Sequence, residues 1–376
     1  MSKIKAFLRK LIRFLVEPIN IDSRIFWAAL LLVMVLSIVV KIFFLPEVYY
    51  LDSYRILKFI EKDYSRIDNK SFWLAAQVFK PLYLFLGCKT ILSMSVVLSV
   101  CGNLILAILY KNMRIENLIS YAFVYLFTGM VNIYAFLPQK EFLQWLINLL
   151  MFVVISADCK LLVRNEAKVL GVFSIALLEG VLFREVYLII SLLFLLLFLI
   201  YSISIRNIIN NLAVEVALLF VGAIISLYLL RIIWPSMYEI LANERYLITF
   251  YRNINEEGNH SLLLDVFQNK NPFVFSINIF INTVRILFPI ELLKRNPFKV
   301  FYYLNVVAML FFLIKMVEIR KKSIDVIKER ITYIYLISFL FVSAIYEPDF
   351  GSVSRHFSVL LPFICVDFIR TNKGDS

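Results

Sequence analysis

The run from Ile25 to Leu45 has the roughly 20 apolar residues that a helix needs to cross a bilayer, and runs of this kind recur along the chain. Spans are expected at about 26–45, 90–110, 118–136, 142–158, 167–182, 186–203, 212–234, 300–316, 331–346 and 354–369. Two further apolar stretches, 72–88 and 272–293, are interrupted by Pro81 and Pro289. Each fits a span, an interfacial helix or a re-entrant piece. The expected fold is an all-α, polytopic membrane helix bundle of about 10–12 transmembrane helices, with a re-entrant or interfacial segment and one long outer loop.

Composition agrees. Hydrophobic residues make up 61% and charged residues 18% of the chain, and mean hydropathy is +0.83. An ordinary soluble domain is about half apolar and a quarter charged, so a water-soluble fold would leave too much apolar surface uncovered. The 35 Phe and 20 Tyr suit a lipid-facing protein with aromatic belts at the headgroups. Residues 1–376 are expected to form a single integral membrane domain.

A net charge of +12 raises the question of nucleic acid, which the placement of that charge answers. The cations gather in segments that flank apolar runs: Lys3, Lys5, Arg9, Lys10, Arg13 and Arg24 within 1–25, and Arg320, Lys321, Lys322, Lys328 and Arg330 within 317–330. This is the positive-inside pattern of cytoplasmic loops, so nucleic acid is not expected as a partner. Cys88, Cys101, Cys159 and Cys365 stand singly and form no disulfide framework. His260 and His356 lie outside any metal-binding spacing, so neither a metal nor a cofactor is expected. The basic start followed by a run too long for a signal-peptide core is expected to be an uncleaved anchor.

Charge also arbitrates topology. With 1–25 cytoplasmic, a non-crossing 72–88 puts Lys111 and Arg114 inside, Pro138 to Glu141 outside, and Lys160 to Lys168 inside. Phe183 to Val186 is then an outer turn and 235–271 a long extracytoplasmic loop. If 272–293 crossed, the basic loop 317–330 would be forced outside. A segment that enters and returns keeps that loop and both termini cytoplasmic.

This topology gathers one set of charged residues at the outer side: Asp52, Lys140, Glu141, Arg184, Arg285, Glu347, Asp349, Arg355 and His356. Ionisable groups at membrane depth are costly, so each is a functional candidate. Each also has a plainer reading, because Lys and Arg reach for headgroups from helix ends and Asp or Glu cap helices. The planar fork of arginine suits a phosphate or diphosphate, and Arg184, Arg285 and Arg355 with Lys140 would hold one. Asp52, Glu141, Glu347 and Asp349 are available carboxylate bases, with His356 a further candidate. In 235–271, Tyr238, Tyr246, Tyr251, Arg245, Arg252 and four Asn residues have a composition suited to carbohydrate and equally to any exposed loop.

The segments LPQKEFLQWLINLL (137–150), LFREVYLII (182–190), RILFPIELL (285–293) and EPDFGSVSRHFSVLLPF (347–363) resemble the Wzy-type and EpsG-like polymerases of bacterial O-antigen, capsule and exopolysaccharide. The resemblance implies a glycosyltransferase of the bacterial cytoplasmic (inner) membrane. It would polymerise undecaprenyl-diphosphate-linked oligosaccharide repeat units on the outer face. Its partners would be that lipid-linked oligosaccharide, membrane lipids, and chain-length-regulator and flippase proteins. On this analogy Lys140, Arg184, Arg285, Arg355 and His356 contact diphosphate or acidic sugar, Asp52 and Glu141 serve as candidate bases, and Glu347 and Asp349 lend support. The main catalytic need would be stabilising charge on the departing diphosphate, which arginines meet without a divalent ion. An outward Asp after the first span also resembles the wider GT-C glycosyltransferases, although the DxD pair of that class is absent at Asp52. A flippase for the same lipid-linked oligosaccharide is the rival from a non-enzyme class, kept open by Glu179 and Arg231 within apolar spans.

Overall fold

The structure is a computed structural model that describes residues 21–62, 70–111, 113, 115, 117–157, 165–183, 185–236, 238–239, 241–243, 262–269, 271–295, 300–347 and 349–368. Every regular element among them is helical. Residues 1–20 of the basic start, Arg184, most of the 235–271 loop and the tail with Arg370 and Lys373 lie outside the described residues. Seven helices among the described residues are long and apolar enough to cross a membrane: Ser23–Phe43, Ile91–Lys111, Leu118–Ala135, Val186–Ile203, Leu212–Ile233, Tyr302–Lys322 and Ile327–Tyr346. The chain is therefore a multi-pass, all-α membrane protein. Its contacts group into two compact units, one of residues 1–164, 178–185 and 355–376, the other of residues 165–177 and 186–354.

The first unit contains α1 (Ser23–Phe43), α2 (Leu51–Lys62), α3 (Lys70–Phe85), α4 (Ile91–Lys111), α5 (Leu118–Met130) and α6 (Lys140–Ser156). Lys41, fully buried near the end of α1, fixes how three of them meet. Its Nζ donates to the carbonyls of Phe136 (2.9 Å) and Ser95 (3.3 Å) and to the Ser99 hydroxyl. The C-terminal ends of α1 and α5 therefore share one end of the unit with the start of α4. At the other end the Phe26 ring lies 5.7 Å from that of Tyr121. Because α1 finishes and α4 begins at the same end, the chain between them makes no net crossing, and the described helices α2 and α3, of 12 and 16 residues, are each shorter than a span.

Between α5 and α6 the chain is not regular α-helix. Val131–Ala135 forms a π-helical turn, and every residue from 130 to 145 is buried. Irregular backbone at this depth is tolerated where protein encloses and answers it. Asn132 and Asn103 exchange reciprocal amide hydrogen bonds of 2.8 and 2.9 Å, and Asn132 also donates to the Thr128 carbonyl. Gly102 lets the turn pack closely, since a Cβ there would stand 2.3 Å from the Phe136 ring.

The second unit contains α8 (Val186–Asn210), α9 (Leu212–Ile233), α10 (Pro272–Leu287), α11 (Glu291–Arg295), α12 (Val300–Lys322) and α13 (Ile327–Tyr346), with α7 (Asn165–Leu182) contributing its first part. Glu215, buried at the start of α9, gathers one end of it. Its Oε1 accepts from Tyr201 and Tyr333, each at 2.5 Å, and its Oε2 accepts from Arg320 Nε at 2.7 Å. So the ends of α8 and α12 share one end of the unit with the starts of α9 and α13.

Since α9 leaves that end and α12, about 34 Å long, returns to it, the chain between them cannot make a single crossing. The local geometry says how it turns back. Leu262 forms a bridge with Asp349, beyond the far end of α13, and residues 262–269 then run beside α10 in the opposite direction. The Asn278 amide serves as a backbone partner: its Oδ1 accepts from the Phe267 N–H (3.1 Å) and its Nδ2 donates to the Phe267 carbonyl (2.6 Å). Asn282 donates to Asp265 at 2.7 Å, and Arg285 Nη1 donates to the Leu264 carbonyl. At the inner turn the Phe273 ring lies 6.3 Å from that of Phe220, midway along α9. The segment 262–287 is thus re-entrant, an extended limb in and a helical limb out.

One expected span is broken. Rather than a single helix over 354–369, the chain forms α14 (Phe350–Ser358), α15 (Leu361–Ile364) and a 3-10 turn at Cys365–Phe368. The helix stops at Ser358, where the Leu360 N–H bonds back to the Phe357 carbonyl, and restarts with Pro362 in its first turn. From Arg355 the segment still runs the length of the first unit, since the Phe368 ring reaches Phe123 (6.5 Å) near the start of α5.

With the four native cysteines replaced, single cysteines at Asn210 and Lys321 are expected to react with impermeant maleimide from one face of sealed vesicles. Cysteines at Val266 and Ile290 are expected to react only from the other. Gly102→Ala should cost about 1–3 kcal/mol through overpacking against Phe136, read as a lower melting temperature in detergent.

Candidate functional site

Glu141 lies in the first turn of α6, where the helix dipole favours a negative charge, and it is fully buried. Gln139 precedes the helix in extended conformation (φ −137°, ψ 169°), and its amide donates to the Tyr49 carbonyl. That contact ties the start of α6 to the turn after α1. Tyr50 in the same turn donates to the Lys41 carbonyl, and burial, then the nearby Tyr54, raise its phenol above the ordinary value.

The C-terminal segment brings its basic pair to this carboxylate across more than 200 residues of sequence. His356 Nε2 is 3.2 Å and Arg355 Nε 3.3 Å from Glu141 Oε1. Glu141 is wholly enclosed, whereas the Arg355 side chain keeps 19% exposure. A carboxylate in a low-dielectric interior needs such partners to remain charged. Lys140, next to Glu141, turns elsewhere and sets its Nζ 3.9 Å from the centroid of the Phe72 ring.

Of the nine residues expected to form a site, the structure therefore brings together Glu141, Arg355 and His356, while Lys140 adjoins Glu141 in sequence with its Nζ over the Phe72 ring. Arg184 lies outside the described residues. Asp52 sits half-buried in the first turn of α2, and among the described residues no hydrogen bond or ion pair joins it to Glu141. The other residues belong to the second unit. Arg285 donates to Glu291 Oε1 through Nε (2.9 Å), to Asn282 (3.1 Å) and to the Leu264 carbonyl, so it latches the re-entrant segment. Asp349 accepts from the Ser352 N–H (2.8 Å) and hydroxyl (3.0 Å), which caps α14. Glu347 ends α13, its N–H bonded to the Ser343 carbonyl.

The structure adds residues that charge-based reading passed over. Gln144, Trp145 and Asn148 follow Glu141 at helical spacing, on the same face of α6, and all three are fully buried. Among the described residues, both side-chain polar atoms of Gln144, Trp145 Nε1, Asn148 Oδ1 and Gln139 Oε1 have no hydrogen-bond partner. Leaving one such group unanswered costs about 1–3 kcal/mol, so five rival the stability of a whole domain. Among the described residues no group of three or more His, Cys, Asp or Glu side chains is arranged to hold a metal ion.

No family model, curated protein or solved structure matches the chain.

Glu141→Leu leaves Arg355 and His356 facing an apolar side chain and is expected to cost about 3–5 kcal/mol, while Glu141→Gln, which still accepts hydrogen bonds, should cost clearly less. Thermal unfolding of the purified variants in one detergent checks the order, and equal melting temperatures would overturn the pairing.

Proposed function

We propose that the protein is a glycosyltransferase that polymerises undecaprenyl-diphosphate-linked repeat units into a surface polysaccharide on the outer face of a bacterial cytoplasmic membrane. The observation that carries this reading is the buried Glu141 carboxylate held between His356 and Arg355 inside a multi-pass helical protein.

In this reading a hydroxyl oxygen of the acceptor sugar attacks the anomeric carbon of the donor glycan. The bond from that carbon to the diphosphate oxygen breaks, and undecaprenyl diphosphate departs. The Glu141–His356 pair takes the hydroxyl proton, a role in which a carboxylate beside an imidazole orients the ring and stabilises its charged form. Arg355, in contact with the same carboxylate and partly exposed, supplies positive charge for the leaving diphosphate, with Lys140 close by in sequence. Arg285, already engaged in holding the re-entrant segment, supports the fold of the second unit.

Buried charges in other helices favour a flippase for the same lipid-linked substrate as the second reading. Lys41, Glu179 and Glu215 are each at most 2% exposed within apolar helices, and ionisable residues inside spans mark transport pathways in many carriers.

Deletion of the gene followed by electrophoresis of surface glycan tests the choice. Single-unit glycan in place of a ladder is the expected result, and accumulation of lipid-linked units on the cytoplasmic side would turn the assignment to flippase. Complementation with Glu141→Gln or His356→Ala is expected to restore protein level with polymer formation reduced about 100-fold or more, whereas a full ladder from both variants would remove the pair from the chemistry.

A further inference from the structure

The polar face of α6 that follows Glu141 carries buried polar atoms that no described residue answers. Gln144, Trp145 and Asn148 are fully buried and stand within one helical face with Glu141. The Asn148 amide donates to the Gln144 carbonyl at 2.9 Å, which fixes the Asn148 side chain along the helix and turns its Oδ1 away from that bond. Trp145 is fixed by its ring, packed edge-to-face with Phe136 at 4.9 Å between centroids. Among the described residues its indole N–H nevertheless meets no acceptor, and neither Gln144 side-chain polar atom meets a partner.

We infer that Gln144, Trp145 and Asn148 bind the hydroxyl groups of a neutral glycan segment and present it to Glu141 and His356, as the acceptor subsite of the proposed transfer. The inference rests on that reading for its direction. The chemistry of the face selects the ligand class. Side-chain amides offer both donors and acceptors, the indole offers a single donor, and none of the three carries charge. A diphosphate or another anion would call for cations here, and a lipid tail would leave every one of these atoms unanswered. Sugar hydroxyls, each donor and acceptor at once, match both amide ends. Enclosed water could answer the same atoms, and the experiment separates the two.

The probe is the oligosaccharide pool released by mild acid from the polyprenyl-linked lipids of the source cell, added to purified full-length protein in phospholipid nanodiscs and read by thermal shift. Wild-type protein is expected to be stabilised in a saturable manner. Gln144→Leu combined with Asn148→Leu should remove at least tenfold in apparent affinity, because several neutral hydrogen bonds are lost. The same double variant without glycan should melt no lower than wild type, since apolar side chains replace unanswered polar atoms. Trp145→Phe keeps the ring and removes one N–H. It provides the second variant and should weaken binding about threefold. No shift in wild type, or equal shifts in all three proteins, would overturn the inference and assign the face to enclosed water. A wild-type shift lost in the variants, in a protein whose deletion leaves the glycan ladder intact, would keep the site and remove the polymerase reading instead.

Discussion

Backbone that leaves a helix inside an apolar environment must find its hydrogen-bond partners in the protein, and the irregular parts of this molecule are arranged around that demand. Phe136, just beyond the π-helical turn, has its carbonyl answered by the buried Lys41 ammonium. Phe267 in the re-entrant limb has both backbone groups answered by the one amide of Asn278. The partners here are a long side chain and an amide, each of which reaches a neighbouring main chain from a helix. In each case a polar residue that looks out of place in an apolar run is the one that lets the chain stop being helical there.

This explains why part of the fold was legible in the sequence and part was not. Helix positions follow from apolar runs, and the charge of the loop 317–330 argues against a single crossing by 272–293, although the limb that pairs with α10 lies at 262–269, inside the expected outer loop. Those signals are long-range sums over many residues. The break in the expected span 354–369 depends on local backbone chemistry at Ser358 and Pro362, which hydropathy averages over. Lys41 was hidden for the opposite reason: a single cation in an apolar run of 21 residues barely alters its mean, yet it joins α1, α4 and the end of α5.

Among the candidate site residues, charge and sidedness selected groups that the geometry then separates by task. Arg285 and Asp349 complete local backbone structure, Asp349 as the capping alternative describes and Arg285 by donating to the Leu264 carbonyl. Glu141, Arg355 and His356 instead meet one another across the chain, which no spacing rule reveals because the sequence separation exceeds any local motif. Gln144 and Asn148 carry no charge and so fall outside a search for ionisable groups. Their spacing from Glu141, three and seven residues on, is the signal that was present: a polar stripe down a helix otherwise built of Leu, Ile, Phe and Val.

The contrast between Glu215 and Glu141 sharpens what distinguishes the Glu141 region. Glu215 is fully answered, by two tyrosine hydroxyls and an arginine spread over both oxygens, at the meeting point of four helix ends. That arrangement resists movement and suits a structural joint. At Glu141 both Arg355 and His356 approach the same oxygen, Oε1, and both arrive on one interrupted segment rather than on a long helix. The Gln144 amide and the Trp145 N–H, without partners among the described residues, follow on the same helical face. A joint gains nothing from unmet polar groups beside it. A binding site does, because those groups gain their hydrogen bonds when a ligand arrives, and that difference supports the role proposed for α6 over one at the Glu215 joint.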